Sequence, residues 1–175
     1  NMGYMPNIDA SEFLVNEVMP LVWAQYPRAK VVLAGATPHS RVLALQSERV
    51  IVTGFVDDLR PYYQRAKVFV APLHMGSGLQ NKLLEAMAMK VPSITSNIAN
   101  NSLKASGNKE IIICDMAAEY ARSIINFLTD PSLAETISNN AFSYVNNHFD
   151  WNNQVEHLNR IILRAISDNS NSKSI

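Results

Sequence analysis

Between residues 76 and 85 the chain places two glycines around a serine, Gly76-Ser77-Gly78, and then a lysine, Lys82, and a glutamate, Glu85. Glycine lets a ligand approach the main chain closely. The first N–H groups of a helix have no acceptor inside it, so such a loop leading into a helix suits a phosphate. Gly78, Lys82, Glu85 and Met89 follow one another at spacings of four, three and four, which predicts one helical face. Leu79, Leu83, Leu84, Ala86, Met87 and Ala88 take the other faces. The helix is therefore expected to be largely buried, with a narrow charged stripe turned to a cleft. On that stripe Lys82 would reach a diphosphate held at the helix start, and Glu85 would accept two hydrogen bonds from a vicinal diol such as that of ribose. The competing reading is a plain Lys82–Glu85 surface pair worth about a few tenths of a kcal/mol, and the residue types alone leave both open.

Other candidates are weaker. His74, beside the glycine loop, is placed to point into the same cleft, although a lone loop histidine is commonly a solvated or capping group. His39, His148 and His157 have no metal-ligand spacing to a cysteine or to each other. Cys114 ends the apolar run Ile111-Ile112-Ile113 and reads as a small buried hydrophobe rather than a nucleophile. Trp23 and Trp151 read as packing anchors. No Walker-type lysine, no GxGxxG and no strip of basic and aromatic residues occurs.

The elements that must carry this chemistry alternate. Residues 8–26 repeat apolar side chains at helical spacing (Ile8, Phe13, Leu14, Val18, Leu21, Val22), with Pro6 and Asp9 at the start. Strands are expected at 30–35, 50–53, 68–71, 93–95 and 111–113, and helices at 39–47, 59–65 and 79–90. Ser106-Gly107-Asn108 reads as a turn. Helices then follow at 117–129, at 131–147 opened by Pro131, and at 152–167, before a polar tail over 168–175. Continuously apolar strands alternating with helices predict an α/β, doubly wound parallel sheet with helices on both faces and the last helices packed outside. In such a sheet a ligand sits outside the carboxyl ends of the strands, which directs attention to Gly35, to Gly54-Phe55-Val56 and to the loop after residue 71.

At 175 residues, 47% of them hydrophobic, the chain can bury one sizeable core, expected over residues 1–167. Fifteen basic residues balance fifteen acidic ones, so no global field would draw it to nucleic acid or to an anionic membrane, and any anion site must be local. One cysteine, no leader pattern and no apolar run of membrane-spanning length point to a reducing, cytoplasmic setting.

The run Gly54-Phe55-Val56-Asp57-Asp58, Tyr62-Tyr63, Ala66 to Leu73, Gly76 to Ala88 and Val91-Pro92-Ser93-Ile94 closely resembles the C-terminal, donor-binding domain of GT-B retaining glycosyltransferases, family 4, the glycosyl transferases group 1. The resemblance extends back to Asn1-Met2-Gly3 and forward to Phe149-Asp150-Trp151. It implies a Rossmann-like domain that binds a nucleotide-diphosphate sugar and transfers the sugar to an acceptor in polysaccharide or glycoconjugate synthesis. The acceptor site, and any peripheral membrane contact, would lie in a second, N-terminal domain not present in this chain, so this part alone is expected to be inactive. Glu85 matches the second glutamate of the family's two-glutamate motif, implied to hold the donor ribose. Gly76, Ser77, Gly78 and Leu79 match the loop that passes the diphosphate and sugar, Lys82 a phosphate-contacting lysine, and Gly35, Phe55 and Val56 the lining of the base site. The catalytic pair implied is Glu85 and Lys82, with His74 near the sugar, no metal strictly required and no further cofactor.

Two departures stand out. Ser77 occupies the place, eight residues before Glu85, where many members have their first glutamate. The basic residue many members carry in the first helix-opening loop has no counterpart between Gly3 and Asp9, which leaves Lys82 as the main side-chain cation for the diphosphate. A non-catalytic nucleotide-binding or interaction module and a nucleotide-sugar epimerase of the same architecture are the alternatives.

Overall fold

The computed structural model describes residues 1–76, 78–150, 155 and 158–164. The first helical rod comprises α1 (Met5–Phe13), a π-helical turn (Leu14–Val18) and α2 (Met19–Trp23). It begins three residues before the expected position 8, with Pro6 in its first turn, where the missing N–H costs nothing. The π turn is the local answer to Pro20. Proline has no N–H for the Asn16 carbonyl four residues back and its ring crowds that carbonyl, so the turn widens and the Met19 N–H reaches back five residues to Leu14. The extra residue shifts the phase of α2. Met19 and Val22 face inwards, while Leu21, expected on the apolar face, is 45% exposed.

The remaining elements are β1 (Val31–Ala34), α3 (Ser40–Leu43), β2 (Val50–Gly54), α4 (Arg60–Arg65), β3 (Phe69–Ala71), α5 (Asn81–Ala88), β4 (Ser93–Thr95), α6 (Asn97–Leu103), β5 (Ile112–Ile113), α7 (Ala117–Thr129) and α8 (Pro131–Phe149). All ladders are parallel, as the alternation of strands and helices requires. Val31 pairs with Val50, Phe69 with Ser93 and Ile94 with Ile112. The strands form two ladders, β1-β2 and β3-β4-β5, rather than one continuous sheet among the described residues. β3 is only three residues long, closed by Pro72, which has no N–H for a further ladder bond. β4 is buried throughout, as a strand covered on both faces must be. β1 instead alternates, and leaves Val32 exposed opposite Ile51.

Two apolar clusters hold these layers together. The first joins the inner face of α1–α2 (Ile8, Val18, Val22) to β1, β2, Ile94 and the α7 residues Tyr120, Ile124 and Phe127. The second joins α5 (Leu83, Met87) to Ala71, Leu73, Leu103, Ile111 and the α8 residues Ala141 and Val145. α8 contributes Ile137 to one and Ala141 to the other, so it fastens both halves. Cys114 is buried as expected, its Sγ 3.4 Å from Ser123 Oγ. Trp23 is half-buried against the first cluster, donating from Nε1 to the Ala29 carbonyl at 2.8 Å, with the Arg49 guanidinium over its ring.

α7 begins and ends where its periodicity places it, and α8 starts at Pro131 as expected. Asp130 caps α8 by accepting from the Leu133 N–H at 2.9 Å. Replacing it with alanine is expected to cost about 1 kcal/mol, read as a fall of roughly 2–4 °C in Tm for a chain of this size. Nothing in the periodicity announces α6, whose asparagines are poor helix formers. Its start is secured by Ser96 Oγ, which accepts from the Ala99 N–H, and its end by Lys104 in the left-handed region, φ 58°. The turn at 106–108 is present, with Asn108 at φ 58°. Residues 158–164 are helical, within the expected helix at 152–167. Trp151, His157 and the tail 168–175 lie outside the described residues.

Candidate functional site

The cleft lies at the carboxyl ends of the strands, where a parallel sheet leaves room for a ligand. A cavity of about 590 Å³ opens there, running down between the β1-β2 ladder and β3. Gly35, Phe55, Val56, Lys82 and Glu85 all line it, although they come from three separate strand-to-helix junctions. Asn7 from α1 and Tyr63 from α4 complete the wall around the two charges.

Gly35 is where β1 must turn. Its φ is +153°, and a Cβ there would meet Met2 Cγ at 3.0 Å, so glycine alone lets the Asn1–Gly3 segment cross the strand end. That segment is held by a network: Met2 N–H to the Ala36 carbonyl, and Gly3 N–H and Thr37 Oγ1 both to Asn1 Oδ1 at 2.8 Å. Asn7 Nδ2 donates to the Asn1 carbonyl at 2.6 Å, leaving its Oδ1 free to accept from Lys82 Nζ. Lys82 is thus tied across 75 residues of sequence to the opening turn of α1. Burial pushes the Lys82 pKa below lysine's ordinary range, and the neutral amide of Asn7 brings no negative charge to offset the buried cation. An ammonium in this position is short of an anion.

Glu85 stands on the same face of α5, one turn on, and is exposed. Its Oε2 accepts from the Tyr63 hydroxyl at 3.0 Å. Burial, and secondarily the Glu85 charge, drive the Tyr63 pKa well up, so the phenol stays a donor. Lys82 and Glu85 form no ion pair with each other among the described residues. The surface-pair reading is therefore set aside by the geometry.

The expected stripe needs correction at its ends. α5 starts at Asn81, not at Leu79, so Gly78 precedes the helix and Met89 is its C-cap, and neither belongs to the helical face that carries Lys82 and Glu85. Gly78 and Leu79 are exposed and Gln80 supplies the N-cap position in an extended conformation, without a side-chain hydrogen bond to the first turn. Leu79 and Gln80 therefore separate the glycine loop from the helix, and the loop does not run straight into it. Lys82 is the second helical residue, ahead of the first helical hydrogen bond, which Leu83 N–H donates to the Gln80 carbonyl at 2.9 Å, and this is a better place for anion contact than one turn in. Nor is the helix apolar all round: Leu83, Ala86 and Met87 are buried, while Asn81, Glu85 and Ala88 are exposed. Three residues on the packed side suffice because α5 leans on α8 and β4 and leaves its remaining face to the cleft.

In the loop itself, Gly76 (φ +114°) and Gly78 (φ +84°) take left-handed conformations that any other residue would adopt under strain. Ser77, between them, lies outside the described residues. Gly76, Gly78, Leu79 and His74 do not line the cavity. His74 turns towards α1 instead, with Nδ1 3.0 Å from Asp9 Oδ2 and its ring edge-on to Phe13 at 4.4 Å. It fastens the glycine loop to α1. Asn7 and Tyr63 are the site residues that pattern reasoning missed. Neither residue type at that position signals chemistry, and each acquires its partner only through the fold. Phe55, on the lining of the cavity, is 73% exposed.

The sequence profile of the family described as Glycosyl transferases group 1 matches residues 1–130. The chain is 34% identical over 107 residues to the capsular polysaccharide biosynthesis glycosyltransferase CapM of Staphylococcus aureus, covering 59% of this chain and 28% of CapM. Among solved structures it superposes on the C-terminal domain of the glycosyl transferase group 1 family protein LpcC from Francisella tularensis with a TM-score of 0.66 and 20% identity, covering 81% of this chain and 79% of that domain. It superposes on Anabaena HepE in complex with UDP with a TM-score of 0.69 and 18% identity, covering 87% of this chain and 44% of HepE. The chain spans 40% or less of the length of the curated relatives it matches.

Proposed function

This chain belongs to the glycosyl transferases group 1 family and has the fold of the C-terminal domain of a GT-B glycosyltransferase, and from that premise we propose that it holds a nucleotide-diphosphate sugar during transfer of the sugar to an acceptor in polysaccharide or glycoconjugate synthesis. The observation that carries the reading is the convergence of Lys82 and Glu85 at the open start of α5, on the wall of a single cavity. The diphosphate lies against the first-turn amides and Lys82, which gains there the negative charge that Asn7 does not provide. The ribose diol donates to Glu85, and the base rests in the region of Gly35, Phe55 and Val56 with the exposed Phe55 ring against it. The family resemblance assigns the loop of Gly76, Gly78 and Leu79, which lies outside the cavity lining, to the sugar end of the donor, with His74 anchoring the loop to α1.

In the transfer step the bond between the sugar anomeric carbon and the β-phosphate oxygen breaks, its electron pair passing to the diphosphate. The acceptor hydroxyl oxygen forms the new bond on the same face, so configuration is retained, and its proton leaves on the departing phosphate. Donors aimed at the developing diphosphate charge stabilise this step more than the ground state. A lysine and a helix start supply that neutralisation, and no metal or other cofactor is called for. The acceptor is bound by a second, N-terminal domain, and residues 1–167 alone turn over little donor. The cytoplasm, where nucleotide-diphosphate sugars are made, is the compartment that fits.

A thermal-shift screen of the intact protein against uridine, guanosine and adenosine diphosphates tests the reading. One of the three, at a hundredfold over its dissociation constant, is expected to add about 2.7 kcal/mol of stability. No stabilisation by any of them at millimolar concentration would exclude a nucleotide-diphosphate site.

A further inference from the structure

Glu85 is an exposed side chain with three rotatable bonds, yet its carboxylate is held by the Tyr63 hydroxyl, which donates to Oε2 at 3.0 Å. The hydroxyl also lies 3.4 Å from the Lys82 carbonyl, so one phenol meets both the backbone of the first turn of α5 and the carboxylate one turn on. The ring behind it is fixed in turn. Tyr63 stacks at a tilt on Phe69 of β3, ring centroids 5.6 Å apart, and sits on α4, whose first turn is opened by Pro61. The arrangement therefore runs from β3 through an aromatic pair to a carboxylate in the cleft, and each joint is made by packing or by a hydrogen bond.

We infer that Tyr63 is a positioning residue for Glu85, setting the carboxylate plane for a cis-diol and thereby making the site select ribose over deoxyribose. This rests on the reading of Glu85 as the acceptor for the donor ribose. A cis-diol donates two hydrogen bonds at a fixed separation, and a carboxylate receives both well only when its two oxygens are turned to it together. A glutamate free to sample its rotamers loses that freedom on binding, whereas one held beforehand does not. Tyr63 occupies one acceptor site on Oε2 and leaves the others, on both oxygens, to the diol. Because the bond is charge-assisted it is stronger than one between neutral groups. The phenol's raised pKa keeps its proton in place across the pH range in which enzymes of this kind operate.

The experiment uses the full-length protein and three forms of it: unaltered, Tyr63→Phe and Glu85→Ala. Dissociation constants are measured for uridine, guanosine and adenosine diphosphates and for their 2′-deoxy counterparts. The unaltered protein is expected to favour the ribose form of its preferred base by about tenfold or more, and Tyr63→Phe to reduce that preference by about three- to tenfold while leaving the deoxy affinity unchanged. Phenylalanine keeps the ring on Phe69, so a merely structural role would leave the preference alone or weaken both ligands equally, and either result overturns the inference. If Glu85→Ala abolishes the preference while Tyr63→Phe keeps or increases it, Glu85 binds the ribose without help from Tyr63 and the inference alone fails. If Glu85→Ala retains the full preference, or no ribose diphosphate binds the unaltered protein, the reading of Glu85 fails and the inference with it.

Discussion

Replacing Lys82 with alanine in the full-length protein is expected to lower kcat/KM for the donor by about 10²- to 10³-fold, the loss that accompanies removal of one preorganised charge-stabilising donor. The reason is local. Lys82 is half-buried, its Nζ rests on the neutral Oδ1 of Asn7, and burial has already lowered its pKa, so the side chain is poised to gain from an incoming anion. Much of the gain is realised as charge accumulates on the leaving diphosphate, so kcat should fall at least as steeply as KM rises. A pH dependence accompanies it. A bound diphosphate raises the Lys82 pKa above the depressed value of the free protein. The lysine's contribution to donor affinity is therefore complete below the depressed free-protein pKa, declines above it and is lost as pH rises through the higher pKa of the bound complex. Lys82→Ala should remove that alkaline fall in affinity along with the activity. Normal donor affinity and turnover in the alanine variant, measured by steady-state kinetics, would displace Lys82 from the site.

The second large effect concerns stability. Leu83, next to Lys82, is fully buried in the second apolar cluster with Leu73, Met87, Leu103 and Ile111. Leu83→Ala removes that packing and leaves a void that rigid neighbours cannot close, at a cost of about 2–5 kcal/mol. For a domain of this size that is roughly 4–20 °C in Tm. Since small domains are stable by only about 5–15 kcal/mol in total, the variant sits near the limit of folding at physiological temperature. α5 has a single packed side, so loosening it also loosens the frame on which Lys82 and Glu85 stand, and nucleotide affinity should fall with Tm. Leu83→Met nearly conserves volume and should lose less than about 1.5 kcal/mol. A Tm for Leu83→Ala within about 2 °C of the unaltered protein would contradict the packing described for α5.

Much of the fold was written in local pattern. The strands at 31–34, 50–54 and 69–71 fall where short apolar runs ending at Gly35, Gly54 and Pro72 place them, and 93–95 falls on Ser93-Ile94-Thr95, because such runs and their breakers are properties of neighbouring residues. The α7 boundaries came from helical period, and the α8 start from Pro131 in its first turn. Lys82 and Glu85 share a helical face because 3.6 residues per turn require it at a spacing of three. Three features were not legible in the residue pattern. The π turn depends on how a long helix accommodates Pro20, and its phase shift decided that Leu21 faces out. The helix carrying the charges begins at Asn81 because the Gly76 and Gly78 conformations continue the loop. His74 turned to Asp9, 65 residues away, a partner no window of sequence contains.

The stripe from Gly76 to Glu85 was thus half determined by its own residues. Sequence alone decided that a glycine loop, a lysine and a glutamate come together near the start of a helix, since spacing and helical period are properties of the chain itself. Only the tertiary structure decided what each charge meets. Lys82 finds a neutral amide 75 residues upstream and Glu85 a phenol 22 residues upstream. Those meetings depend on two strand-to-helix junctions and an aromatic pair arriving at one cleft, and that convergence is set by core packing, in which Lys82, Glu85, Asn7 and Tyr63 take little part.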